Sequence, residues 1–204
     1  DKLQKKLIDN DINISIHLGA EVFFNFNLLD ILDNQLTTFC NMKYMLIEFQ
    51  TFQFPDNYED QLYNLAISGI TPIIAHPERY KPIQKDISIA EKLINSGCLM
   101  QMDAGSVLGH FGGNCKNIAE RMILSNMIHI IGSDAHNDKK RNFCLSDALK
   151  TIHMLTGDDS KDLVNKNPQK VIRGEKIEIP EVKIEFLHKK TIYQRIKKRF
   201  FNTK

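Results

Sequence analysis

The chain has 204 residues, 42% of them hydrophobic and 25% charged, with a formal net charge of +2. That is enough chain for one domain with a real core, and so even a balance of charge leaves no footprint for nucleic acid. Four scattered cysteines form no CxxC pair, so neither a zinc knuckle nor a redox motif is suggested, and their low density in a chain of this size favours the reduced thiols of a cytoplasmic protein over a disulfide framework. No apolar run approaches the roughly 20 residues needed to cross a bilayer, and no signal peptide is visible at the Asp1 start.

In chain order, residues 1–10 read as the last turns of a helix with Leu3, Leu7 and Ile8 on one face. Asn13 to Leu18 alternate like a strand that carries His17 and stops at Gly19-Ala20-Glu21. A short helix is expected around Asn27 to Asn34, then a compact apolar strand from Tyr44 to Phe49 holding one acid, Glu48. Pro55 to Ser68 read as a helix capped by Asp56, with Leu62, Leu65 and Ala66 inward and Gly69 at its end. Pro72 to Ala75 form the next strand, followed by His76-Pro77-Glu78-Arg79-Tyr80.

Ile87 to Asn95 are helical, with Gly97 as the stop. Cys98 to Met102 are a strand ending at Asp103. A helix from Asn114 to Ser125 turns Ile118, Met122 and Ile123 inward, and the run Met127 to Ile131 breaks at Gly132-Ser133-Asp134-Ala135-His136. Leu145 to Leu155 are helical with Ser146 as cap, Asp158 to Asn165 form a short helix, and Asn167-Pro168 open a closing turn.

Strand and helix thus alternate five times. The polar residues expected at the strand ends, Glu21, Glu48, His76, Asp103 and Asp134, recur at intervals of roughly 30 residues, one βα unit each. Continuous apolar strands point to a parallel sheet buried on both faces. Right-handed crossovers then put all the strand C-termini at one rim, the active-site end of a βα-barrel. A doubly wound sheet is the alternative, but neither GxGxxG nor a P-loop is present.

Glu21, Glu48, His76, Asp134 and His136 make a carboxylate and imidazole set without cysteine, suited to manganese, zinc or iron, and several carboxylates invite more than one ion. On a strand, Asp134 and His136 would point the same way. Arg79, in the loop past His76, could fork onto phosphate oxygens, or simply pair with Glu78 or another acid. Asp103 could be a rim ligand or bond nearby amides. His110, His129, His153 and His188 have no ligand-like neighbours.

The segments GAE at 19–21, IEF at 47–49, AHPERY at 75–80, DAGS at 103–106 and GSDAH at 132–136 occur in this order. Together they resemble the PHP (polymerase and histidinol phosphatase) superfamily, and more narrowly the bacterial CpsB/CapC/YwqE-type protein-tyrosine phosphatases of capsule and exopolysaccharide operons. The resemblance spans about residues 13–173. It implies a distorted, seven-stranded PHP-type TIM-like barrel over residues 1–178, followed by a basic tail, 179–204. It implies two or three divalent metals, manganese first, with iron, zinc or magnesium possible, held by Glu21, Glu48, His76, Asp134 and His136. Arg79, and by a looser match Arg141, would contact the substrate phosphate. The implied partner is an autophosphorylating bacterial tyrosine kinase with a tyrosine-rich tail.

This sequence departs from the family pattern at its start. The DxHxH strand, the following loop acid and a second strand ending in histidine are not in it. About 80 residues, two βα units, are expected upstream, and the chain alone is expected to bind the full metal set poorly. A small-molecule phosphatase acting on something like histidinol phosphate, and a metal-poor regulatory module, are the alternative functions. Residues 189–204 combine basic side chains with Ile192, Tyr193, Ile196, Phe200 and Phe201. Such a helix could lie on the anionic inner face of a membrane, or it could pack on the body.

Overall fold

The structure is a computed structural model that describes residues 2–25, 27–40, 42–139, 141–157 and 160–184. The proposed amphipathic tail at 189–204 lies outside the described residues. Five strands form one sheet: β1 (Glu21–Phe23), β2 (Tyr44–Glu48), β3 (Thr71–Ala75), β4 (Leu99–Asp103) and β5 (Ile130–Gly132). They pair in the order β1-β2-β3-β4-β5, and every pair is parallel. Among the described residues eight α-helices accompany them: α1 (Lys2–Asp9), α2 (Tyr58–Ile67), α3 (Lys81–Lys85), α4 (Ser88–Asn95), α5 (Ala104–Leu108), α6 (Gly113–Leu124), α7 (Leu145–Thr156) and α8 (Lys166–Arg173).

The strand alternation explains why the sheet has two apolar faces. Met45, Ile47, Ile74, Met100, Met102 and Ile131 point into the larger core, where α2 adds Leu62 and Leu65, α4 adds Leu93 and Ile94, and α6 adds Ile118, Met122 and Ile123. Their strand neighbours Tyr44, Ile73, Leu99 and Ile130 point the other way, against Val171 of α8 and Ile177. A residue period of two makes both sets inevitable once both faces are covered. Tyr44 ties the second face down, its Oη donating to the Glu175 carbonyl at 2.5 Å.

Several expected elements are corrected. Asn13 to Leu18 is not a strand: it runs as exposed extended chain, with Ile14, Ile16 and Leu18 open to solvent and His17 in an exposed loop. Alternation alone does not make a strand unless the segment pairs with a neighbour. The free edge of β2 is taken instead by Glu21–Phe23, so Glu21 opens a strand rather than ending one. Its ladder is only three residues long, too short to stand out by pattern.

Asn167-Pro168 lies inside the first turn of α8, where proline's missing N–H costs nothing. The caps expected at Asp56 and Ser146 are not used, because α2 starts after Asn57 and α7 after Cys144, neither with a side-chain cap bond. Ala66 is exposed, not inward. The helix expected over Asp158 to Asn165 is a single 3-10 turn, Lys161–Leu163, with Asp158 and Asp159 outside the described residues. The helix α5, directly after β4, has no period long enough to announce it. All four cysteines are free thiols.

His129 is buried between β4 and α8. Its Nδ1 accepts from the Met100 N–H at 3.0 Å, and the Asn167 amide donates to its carbonyl at 2.7 Å. Burial pushes its pKa from 6.5 down to about 4. The folded chain therefore keeps it neutral where the unfolded chain already takes up a proton. Its stabilisation is complete above 6.5 and is lost as the pH falls through the window from 6.5 to 4. Between about pH 7 and about pH 5.5, denaturant unfolding should show the wild type losing about 1 kcal/mol that His129→Gln does not lose. Parallel pH profiles for the two proteins would contradict this assignment.

Candidate metal and phosphate site

The C-terminal ends of β2, β3, β4 and β5 meet at one rim, which parallel pairing in sequential order requires. The floor beneath is aromatic. Phe49 stacks on Phe24 with ring centroids 4.8 Å apart, and Tyr80 meets Phe49 edge-on at 5.9 Å. The Phe49 N–H donates to the Tyr80 hydroxyl at 2.9 Å, so the buried phenol is satisfied. Tyr80 also lies 5.5 Å from the His76 ring and backs it.

His76 follows β3 in the left-handed region, with φ of 32°. Its N–H still bonds the Gln101 carbonyl of the next strand at 2.7 Å. The chain thus turns without leaving the sheet, and the imidazole tips over the strand ends. Its Nε2 lies 2.9 Å from Glu21 Oε1 and 3.2 Å from Glu48 Oε1. One possible ligand atom from each of these three residues falls within 4.8 Å of the others. The imidazole is only 5% exposed, and its Nδ1 is buried with no partner among the described residues.

Two carboxylates and an imidazole converging at this range fit a divalent ion of the manganese, zinc or iron type. Nothing in the set asks for a soft thiolate site.

Asp134 is the second non-glycine rim residue in the left-handed region, with φ of 45°. Strained backbone of this kind persists only where surroundings over-determine it, and it clusters at functional positions. Here the over-determination is visible. Asp134 Oδ2 accepts from Arg79 Nη1 at 3.0 Å and also from Arg141 Nη2. Arg79 reaches a second acid, Asp103, at 3.7 Å.

Two guanidiniums on one carboxylate make a fork shaped for a tetrahedral or planar oxyanion. Of the acids Arg79 could pair with, it takes Asp134 and Asp103 and leaves Glu78.

The expected Asp-x-His geometry is corrected. Strand β5 ends at Gly132, so Asp134 and His136 stand in the following loop and not on one strand face. His136 bonds back to the Asp134 carbonyl through Nδ1 at 2.8 Å, and its side chain is 55% exposed. The five expected ligands consequently fall into two neighbouring groups. Glu21, Glu48 and His76 form one, and Asp134 and His136 with Arg79 and Arg141 form the other.

Glu78 is a site residue that the sequence reading treated only as a partner for Arg79. It is 0% exposed. Its Oε1 accepts from the Asp103 N–H at 3.1 Å and the Ser106 hydroxyl at 2.6 Å, joining the His76–Arg79 loop to the start of α5. Burial raises its pKa to about 7. A charged residue between proline and arginine reads as loop surface, so no pattern could reveal this. Asp103 caps α5 through the Gly105 N–H at 2.8 Å, and burial raises its pKa too. The buried thiols are poor nucleophiles: burial pushes Cys98, at the far end of β4, and Cys115 up to about 12, and it raises Cys144.

A parallel βα sheet with a carboxylate and imidazole cluster beside a double-arginine fork defines a candidate metal-assisted phosphate site. The comparisons with known proteins place it. The chain belongs to the CpsB/CapC family of capsular polysaccharide synthesis, whose model it matches over residues 1–173.

Among its relatives, the tyrosine-protein phosphatase YwqE of Bacillus subtilis is 34% identical over 178 residues, which is 87% of this chain and 70% of that protein. The tyrosine-protein phosphatase CpsB of Streptococcus pneumoniae is 28% identical over 183 residues, 86% of this chain and 74% of that one. A solved structure from the work on YwqE and CpsB, described as unique metal-dependent tyrosine phosphatases, superposes with a TM-score of 0.81 at 32% identity. The match covers 89% of this chain and 75% of that one, so the fold is shared.

The geometry of the three-residue cluster makes a direct prediction. Calorimetric titration with manganese should show binding that His76→Ala weakens by more than about tenfold, while His153→Ala on α7 leaves it unchanged. Equal affinities for the wild type and His76→Ala would remove the cluster as a metal site.

Proposed function

We propose that this chain is a metal-dependent protein-tyrosine phosphatase that hydrolyses phosphotyrosine on a bacterial tyrosine kinase controlling capsular or exopolysaccharide synthesis. The observation that carries the reading is the Glu21–His76–Glu48 cluster beside the Arg79–Asp134–Arg141 fork, in a chain of this family. Glu21, Glu48 and His76, with Asp134 and His136 as further ligands, would be this chain's share of a site for two or three divalent ions, manganese first.

When bound, such ions lower the pKa of a coordinated water and so supply a nucleophile at neutral pH. The remaining work belongs to the chain. Arg79 and Arg141 give their fork from Asp134 to the phosphate, while Asp134 turns toward the ligand cluster. Their planar donors then hold the equatorial oxygens as charge spreads over them. Glu78 keeps the Arg79 loop and the start of α5 in register through the Asp103 amide and Ser106. The aromatic floor of Phe49 and Tyr80 keeps His76 from sinking.

The sequential order of the five parallel strands supports a PHP-type barrel, since a doubly wound sheet would reverse order part-way. A membrane-facing role for the tail rests on its sequence alone. Among the described residues no helix is long and apolar enough to cross a membrane.

Rates on a phosphotyrosyl peptide test this reading. Arg79→Ala should lower kcat/KM about a hundredfold or more, and a chelator should abolish turnover until manganese is restored. Replacing Cys98, Cys115 and Cys144 with serine should change kcat/KM by less than about threefold, apart from effects on folding. Chelator-resistant turnover, or loss of turnover on removing one thiol from a folded variant, would point to a cysteine mechanism instead.

A further inference from the structure

Arg79 is held by more than acids. Its guanidinium carbon sits 4.7 Å from the centroid of the Phe111 ring. Phe111 belongs to the short link between α5 and α6. Two glycines in the left-handed region bracket this part of it, Gly109 with φ of 90° and Gly112 with φ of 89°. The His110 N–H bonds the Gly105 carbonyl at 2.9 Å, and the Gly112 N–H bonds the Gly109 carbonyl at 3.1 Å. The link therefore folds back over α5 and returns Phe111 to the rim.

Gly105 makes that closure possible. A Cβ there would come within 2.8 Å of His110 Nδ1 and 3.2 Å of Phe111 Cε2 and Asp103 Oδ1. Beside the fork lies a shallow surface recess, lined by Gly105, His110, Phe111, Ser133, Arg141 and Asn142 among others. Its floor of charge is the Asp134–Arg141 pair, and its one aromatic wall is Phe111, which is only half-buried.

We propose that Phe111 is a specificity-determining residue that selects aryl over alkyl phosphate esters. Resting on the phosphatase reading, this assigns the exposed part of the Phe111 ring, next to Arg79, to contact with the phenyl ring of the substrate. One face of Phe111 steadies the Arg79 plane. The rest of the ring meets the substrate's ring when its phosphate lies on the two guanidiniums. A seryl or threonyl phosphate brings no ring, so it leaves this wall unused. An offset or edge-on aromatic contact is worth about a tenfold preference, and the stacked arginine adds orientation that a flexible cation lacks.

The test uses non-hydrolysable probes, so that it reads binding apart from turnover. The full chain, with manganese present, is titrated calorimetrically with phenylphosphonate and with methylphosphonate. The wild type should prefer the phenyl compound by about tenfold. Phe111→Leu should reduce that preference to about twofold or less, with methylphosphonate affinity held within about threefold, and Phe111→Trp should restore it. Thermal midpoints of both variants check that each is folded.

Preference retained in Phe111→Leu, equal loss for both probes, or no preference in the wild type would each overturn the assignment. A wild type that discriminates between the probes yet fails to hydrolyse a phosphotyrosyl peptide would uphold Phe111 and overturn the phosphatase reading.

Discussion

The contact on which the site depends is the His76 imidazole pressed between two carboxylates, Glu21 at 2.9 Å and Glu48 at 3.2 Å. Two acids side by side repel, and they need something between them. Histidine supplies it only because three adjacent parallel strands present their residues at one rim. The register sets Phe23 opposite Glu48, so Glu21 lies lower along the sheet and must reach upward to His76. After the left-handed turn at His76, its Nε2 lies within reach of that carboxylate. Tyr80, buried and bonded to the Phe49 amide, backs the imidazole. Change any of these and the acids lose their shared partner.

A few steps along the rim the same problem is solved with the opposite charge. Asp134 is crowded by two guanidiniums, and it too sits in a backbone conformation that its residue type rarely adopts. The two clusters are complementary in what they can accept. One is rich in oxygen donors suited to cations, and the other holds an anion in an arginine fork. A metal beside a phosphate needs both, and the buried Glu78 ties the Arg79 loop to the neighbouring strand end.

Much of this was legible in the chain. Four of the five strands were readable because their apolar runs are buried on both faces, as with Tyr44 to Glu48 and Leu99 to Asp103. The rim residues stood out as polar groups breaking apolar runs. What could not be read was anything depending on a partner distant in sequence. Asn13 to Leu18 alternates well, yet it stays exposed and pairs with no strand among the described residues. The three-residue β1 has no period of its own and exists because the edge of β2 is open. The pairing of Arg79 with Asp134 joins residues on different loops, and the burial of Glu78 depends on α5, whose five residues are too few to show a helical period.

The central claim is that the rim takes a divalent metal on the Glu21–Glu48–His76 cluster and hands the arginine fork to phosphate. Crystals grown with manganese and orthophosphate, measured at the manganese absorption edge, test it most directly. An anomalous peak is expected within coordination distance of His76 and at least one of the two glutamates. Phosphate oxygens are expected on Arg79 and Arg141, with Asp134 turned away from both. A peak elsewhere, or phosphate excluded while Asp134 stays in the fork, would contradict it.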